Sequence, residues 1–387
     1  MRCALRISAL LLAVSTAGRT ADPEIEELFK QARTKVLDNS KRMPRYTCVE
    51  TIDRTQYQPS GKVQGCQPPG KGNLVMRDRL RLDVAVVNGG EIFSWAGAGK
   101  FESHDVGSIV GGGASGSGEF GGFLMSVFGN ETDQIRYGGQ RNDFAVFNFT
   151  VPLAKSGYRY RSNGPATTMA YHGTFAVDPA DGDLEQLVVE PDNFPQSDPV
   201  CMVRHQMDYT RVKIGSGNFV LPEVSSMDAI YRNGSETLNQ THYANCREYV
   251  GESTIHFDDV DTASGTPAAK APLQPLPPKT KVSIALTTPI NTEIAAAGDA
   301  IDGVVLKSGD KVHGRILRLQ ESLVPAPRWF VGIRFDRIER NGVEQPISLR
   351  QLQSVTLDKP EGSGLFVFNQ HGNLTLDQKF HSDWETQ

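Results

Sequence analysis

The chain has 387 residues with 38 glycines, 22 prolines, 39% hydrophobic residues and a net charge of −5. This composition is globular and rich in turns, and its length suggests about two domains. It contains no basic block to neutralise phosphates, which excludes a nucleic-acid partner, and no run of about 18 apolar residues to span a bilayer.

The N-terminus "MRCALRISALLLAVSTAGRTADPE" places Arg2 and Arg6 before an apolar run from Ile7 to Val14, followed by small residues. This is the layout of a secretory signal peptide over residues 1–17, cleaved after Ala17 with Ser15 at the third position back. The expected location is secreted or periplasmic. Cys3 precedes the apolar run, so there is no lipobox and this cysteine leaves with the signal. Cys48, Cys66, Cys201 and Cys246 remain, an even number in an exported chain, and they read as two disulfides. Four cysteines allow three connectivities; the expectation is local pairing, Cys48 with Cys66 and Cys201 with Cys246. None lies in a C-x-x-C pair, so no metal site is expected.

The mature chain opens with an amphipathic helix in which Ile25, Leu28, Phe29, Ala32 and Val36 recur at helical spacing, with Asp22 as cap, Pro23 in the first turn and Pro44 beyond the end. Alternation then replaces the helical period. In "RDRLRLDVAVVNGGEIFSWAG" Leu80, Leu82, Val84 and Val86 share one strand face, while Arg77, Arg79, Arg81 and Asp83 share the other, read as wet. Asn88-Gly89 turns the chain, and Phe93 and Trp95 line the returning strand.

The stretch "GGGASGSGEFGG" contains Gly116-x-Gly118-x-x-Gly121, the spacing of a dinucleotide fingerprint, but it lacks the strand before, the helix after and the parallel sheet that such a site needs. No cofactor is expected. Its continuation carries Phe120, Phe123, Leu124, Val127 and Phe128 at helical spacing, either a plug over a cavity or part of the core. "DFAVFNFTVP", "MAYHGTFAVDPADGDLEQLVVE" and "MDAIYRNGSETLNQTHYANCREY" read as further strands and hairpins. Within "DPADGDLEQ", Asp181 and Asp183 read as solvated residues of a tight hairpin.

Between residues 258 and 278 five prolines and few large apolar residues mark a linker. Beyond it strands resume, with Trp329, Val331, Ile333 and Phe335 alternating before an Asn341-Gly342 turn. The predicted fold class is mostly β with an N-terminal amphipathic helix (α+β). A curled antiparallel half-barrel is expected over 22–257 and a smaller β-barrel or sandwich over 279–387.

Catalytic patterns are absent: no G-x-S-x-G, H-E-x-x-H or P-loop occurs, and His104, His172, His205, His242, His256, His313, His371 and His381 are scattered. The chain therefore reads as a non-enzyme.

The phrases "YTCVETIDRTQY", "DRLRLDVAVVNGGEIFSWAGAGKFE", "GEFGGFLMSVFG", "GTFAVDPADGDLEQL" and "YANCREYVGESTIHF" resemble a group of exported bacterial two-domain proteins. Their layout is similar to the periplasmic lipoprotein-carrier (LolA-like) half-barrel fold, which implies an open sheet wrapped on helices and transfers no functional residue. "LPPKTKVSIALTTPINTEIAAAGDAIDGVV" resembles small β-barrel domains of exported and conjugation-apparatus proteins, with Lys279 where glycine is usual.

Three functions follow. The first is a binding protein holding a lipid or other apolar molecule in a cavity lined by Phe93, Trp95, Phe120, Phe123, Leu124, Val127 and Phe128. The second is a cell-envelope structural or interaction protein with a filled core. The third is a hydrolase whose His and carboxylate converge only in three dimensions.

Overall fold

The computed structural model describes residues 23–62, 66, 72–87, 89–101, 103–110, 115–129, 134–162, 165–249, 276–352 and 362–387. The expected signal peptide and the expected linker as far as residue 275 lie outside these.

Helix α1 (Pro23–Arg42) buries Leu28, Ala32, Val36 and Asn39, with Glu24 and Glu26 in its first turn and Lys41 and Arg42 in its last, each matched to the helix dipole. Strands β1 (Tyr46–Gln58), β2 (Asn73–Val87) and β3 (Gly90–Trp95) follow. The short helices α2 (Val106–Val110) and α3 (Gly122–Phe128) come next, then β4 (Ile135–Arg141) and β5 (Phe144–Val151). A two-residue ladder joins β6 (Arg159–Tyr160) to β7 (Thr167–Thr168). Strands β8 (Tyr171–Val177), β9 (Leu184–Pro191), β10 (Val200–Ile214), β11 (Gly217–Tyr231) and β12 (Glu236–Glu248) complete the first half.

Every pairing in this half is antiparallel, in the spatial order β3-β2-β1-β12-β11-β10-β9-β8-β5-β4. Among the described residues no pairing joins β3 to β4, so the sheet stays open. Its buried side chains form two large cores and a smaller cluster of Val200, Val203, Met227 and Ala229. One core, around α1 and α3, gathers Leu28, Val36, Phe123, Phe128, Phe147, Phe175 and Met207. The other, at the β1–β3 end, gathers Tyr46, Leu82, Val84, Phe93, Trp95 and Phe120.

The disulfides cross this order differently from the expected local pairing. Cys48 bonds Cys246 and Cys66 bonds Cys201. The reason is the β1–β12 ladder, in which Thr47 faces Arg247, so that a distant cysteine arrives beside Cys48. Strand pairing decided the connectivity, not proximity in sequence.

The C-terminal strands are β13 (Lys281–Leu286), β14 (Ile290–Asn291), β15 (Ala300–Val305), β16 (Lys311–Ser322), β17 (Arg328–Arg340) and β18 (Val343–Pro346). They continue with β19 (Leu349–Gln351), β20 (Gly364–Phe368), β21 (Thr375–Leu376) and β22 (His381–Thr386). Pairings run β19-β22-β13-β15-β16-β17-β20, with β18 also on β17 and β14 on β21. They curl round a core of their own that includes Val312, Val331, Phe335 and Trp384.

This half is not set apart as expected. Strand β16 pairs with β2 through Gln320 to Ser322, making one hydrogen-bonded sheet of both halves. The arginine face of β2, expected to be wet, is only partly so, because its arginines reach the second half. Arg77 binds Glu321 at 2.5 Å, Arg81 binds Asp299 at 2.5 Å, and Arg79 donates to the Glu293 carbonyl at 2.7 Å. Gly298, at φ +111°, lies so close to β2 that a Cβ there would sit 2.0 Å from the Arg81 carbonyl oxygen.

Candidate functional site

Among the concavities on the first half, one of about 10 Å³ is lined by Val127, Ile135 and Phe149, and two are larger. The larger of these two, about 140 Å³, lies between α1 and the β9–β11 part of the sheet. It is comparable to the ~150 Å³ cavity that holds a benzene ring in a protein interior. Val36, Leu124, Leu184 and Val220 form its apolar floor, and Lys35, Arg42, Arg211, Asp38, Asp183, Asn39 and Asn218 its polar rim.

The hairpin between β8 and β9 builds one wall. Asp178 accepts from the Ala180 and Gly182 backbone N–H groups and Asp181 accepts from the Asp183 N–H, the tight turn expected of Pro-Ala-Asp-Gly-Asp text. Asp183, expected in solvent, is instead 7% exposed. It bonds Lys35 of α1 at 2.8 Å and Arg211 of β10 at 2.6 Å. On the other wall Asn39 meets β11 with both ends of its amide, donating to the Val220 carbonyl at 3.0 Å and accepting from its N–H at 2.9 Å. Helix and sheet are thus held apart at a set spacing by polar struts, with apolar floor between. Three cationic side chains against two carboxylates leave the rim one positive charge in surplus.

The smaller of the two, about 30 Å³, is a chamber on the inner face of β2, β1, β12 and β11, roofed by α2 and the strap from Ser115 to Glu119. Its floor follows from register. Ile52 lies opposite Leu80 and Thr241, Thr241 opposite Ser225, and Glu50 opposite Leu82 and Tyr243. Period-two alternation therefore places Glu50 in the same row of side chains as Cys48 and Ile52, facing inward. Glu91 enters from β3 on the face of Phe93 and Trp95.

The glycine-rich stretch finds its role here. The Gly118 N–H donates to Glu91 at 2.8 Å and the Phe120 N–H at 3.1 Å. Backbone donors that could cradle a phosphate are held by the protein's own carboxylate. Gly118 takes φ +109°, a conformation open to glycine, to aim its N–H inward.

Burial shapes the titration of this cluster. It raises Glu50 well above the usual carboxylate range, with the charges of Glu119 and Glu91 adding to the effect. It raises Glu91 against the lowering effect of its two N–H donors. Glu119 is pushed up to about 8, by burial first and the Glu91 charge second. His205, at the edge of the strap, is lowered to about 4 by burial, and its Nε2 bonds the Tyr158 hydroxyl at 3.0 Å.

The expected lining residues do not meet in one cavity. Phe93, Trp95 and Phe120 pack in one core, and Phe123, Leu124, Val127 and Phe128 in the other. Leu124 alone of the seven lines the larger cleft. Among the described residues His meets carboxylate as His172 with Asp192 and His313 with Asp302, both at 2.7 Å, and as the exposed His371 with the buried Glu321 at 3.3 Å. Among the described residues no group of three His, Cys, Asp or Glu is arranged to hold a metal ion.

Sequence reasoning missed Glu50, Glu91 and Asp183. The first two carried a signal: each interrupts an apolar alternation, Glu50 between Cys48 and Ile52, and Glu91 ahead of Phe93 and Trp95.

No protein-family model matches the chain, and no curated protein matches it. Two solved structures are similar to it. One is a LolA superfamily protein from Nitrosomonas europaea, 7% identical with a TM-score of 0.21, the likeness covering 60% of this chain and 97% of that one. The other is a DUF1329 family protein from Desulfovibrio piger, 11% identical with a TM-score of 0.19, covering 62% and 98%. Superpositions this loose assign neither fold nor ligand.

Proposed function

We propose that the protein is a non-enzymatic binding protein of an oxidising, extracytoplasmic space, and that it holds a small anionic amphiphile in the cleft between α1 and β9–β11. The two disulfides support the compartment. The observation that carries the ligand class is the pairing of an apolar floor, Val36, Leu124, Leu184 and Val220, with a rim that holds Lys35, Arg42 and Arg211. Apolar surface takes a short acyl or aromatic group, and the surplus positive charge takes a carboxylate, sulfonate or phosphate head.

The test is fluorescence titration of the full chain with anilinonaphthalene sulfonate and its displacement by decanoate. We expect saturable binding, weakened about tenfold by Arg42→Glu, which reverses an exposed rim charge at a cost of about 1.4 kcal/mol. Val220→Trp, which fills the floor, should abolish it. A titration without saturation, or one unchanged by both substitutions, would reject the cleft as the ligand seat. It would favour the filled-core interaction protein instead.

A further inference from the structure

The chamber beneath the strap is separate from the cleft and lies against Ile52, Leu80 and Val106 of the β1–β3 core. Glu50 is 5% exposed and lines the cavity, and among the described residues no hydrogen-bond donor or cation partners its carboxylate. An ionised carboxylate in that position costs several kcal/mol unless something neutralises it. The groups that face it are few. Arg54 of β1 is held by both oxygens of Asp78 on β2, at 2.6 and 2.8 Å. Tyr243 of β12 shares a hydrogen bond of 2.9 Å with Ser225. Glu91 of β3 is held by the strap, and Glu119 rides on the strap itself. Tyr209 and His205 come from β10, the first donating to the Glu119 carbonyl at 3.3 Å and the second bonded to Tyr158. Four carboxylates thus stand against a single guanidinium, which is already bonded to one of them.

We propose that this chamber is a binding site for a primary ammonium group, with the carboxylates of Glu50 and Glu119 as its acceptors and the Thr241 hydroxyl lining the same cavity. A volume of about 30 Å³, above the ~10–15 Å³ that one water needs, admits an ammonium head, whereas a quaternary head brings no N–H donors for the carboxylates. An ammonium ion brings N–H donors and a positive charge to Glu50 and Glu119, since the lining's one guanidinium, Arg54, is engaged by Asp78. A metal ion is disfavoured because the carboxylates are not arranged as a ligand set. Without a cation, protons compete for this site instead, since burial raises Glu50 and Glu119 and the neighbouring carboxylates raise both further. Ammonium binding must then release protons, and affinity must rise with pH until the carboxyls ionise unaided.

Calorimetric titration of the full chain with methylammonium, at pH 6 and pH 8 and in two buffers of different ionisation heat, tests this. We expect binding at least tenfold tighter at pH 8, with proton release read from the buffer difference. Tetramethylammonium should not bind. Glu50→Gln and Glu119→Gln should each weaken binding tenfold or more, and Glu119, on the strap, offers the change less able to disturb the fold. The cleft variants Arg42→Glu and Val220→Trp should leave methylammonium binding intact, which separates this site from the amphiphile seat. No heat at either pH, binding without proton release, or binding that survives Glu119→Gln in a folded protein overturns the proposal.

Discussion

At the scale of single residues, the chamber sets opposing pH dependences. Glu119 is raised to about 8 in the folded chain from an ordinary value of 4.5, so its contribution to stability is complete below pH 4.5 and is lost as pH rises through 8. His205 is lowered to about 4 from 6.5, so its contribution is present above 6.5 and is lost as pH falls toward 4. Thermal melts across this range should show Glu119→Gln flattening the alkaline fall while the acid fall persists. Gly298 is the second residue whose replacement has a definite outcome. Alanine there would meet the Arg81 carbonyl and Trp95 at a left-handed backbone angle, with an expected loss of about 3 kcal/mol in denaturant unfolding.

At the scale of elements, strand order explains the disulfides. Cys48–Cys246 spans 198 residues and Cys66–Cys201 spans 135. On the chain-entropy account each restricts the unfolded state by roughly 5 kcal/mol, more than the short local loops would have done. Non-reducing peptide mapping should recover the Cys48 peptide joined to that of Cys246, and reduction should lower the melting temperature. Helix α1 was legible because its apolar stripe has a 3.6-residue period, and the hairpins were legible from alternation and turn residues. The partner of each strand was not, because alternation marks which side chains share a face without saying what covers it. The arginines of β2 show the consequence: a polar face looks the same in sequence whether it meets water alone or the ion-pairing groups of a distant segment.

At the scale of the molecule, the β2–β16 pairing and the Arg77 and Arg81 ion pairs join the two halves into one sheet. We expect them to unfold together. Trp95 lies in the first half, and Trp329 and Trp384 in the second. Variants that keep one or the other set should report coincident denaturant transitions; two separated midpoints would show that the halves melt independently.

The sequence by itself determined the class of structure, because hydrophobic period is a local property: one amphipathic helix, many antiparallel hairpins, and four cysteines suited to two bridges. It also showed that the glycine triplet lacked the context of a nucleotide site. Only the tertiary structure decided which cysteines pair, that Asp183 is buried between Lys35 and Arg211, and that Glu50, Glu91 and Glu119 converge. These depend on which distant strands become neighbours, and on burial, which turns an ordinary glutamate into a group whose charge must be met by a proton or a ligand.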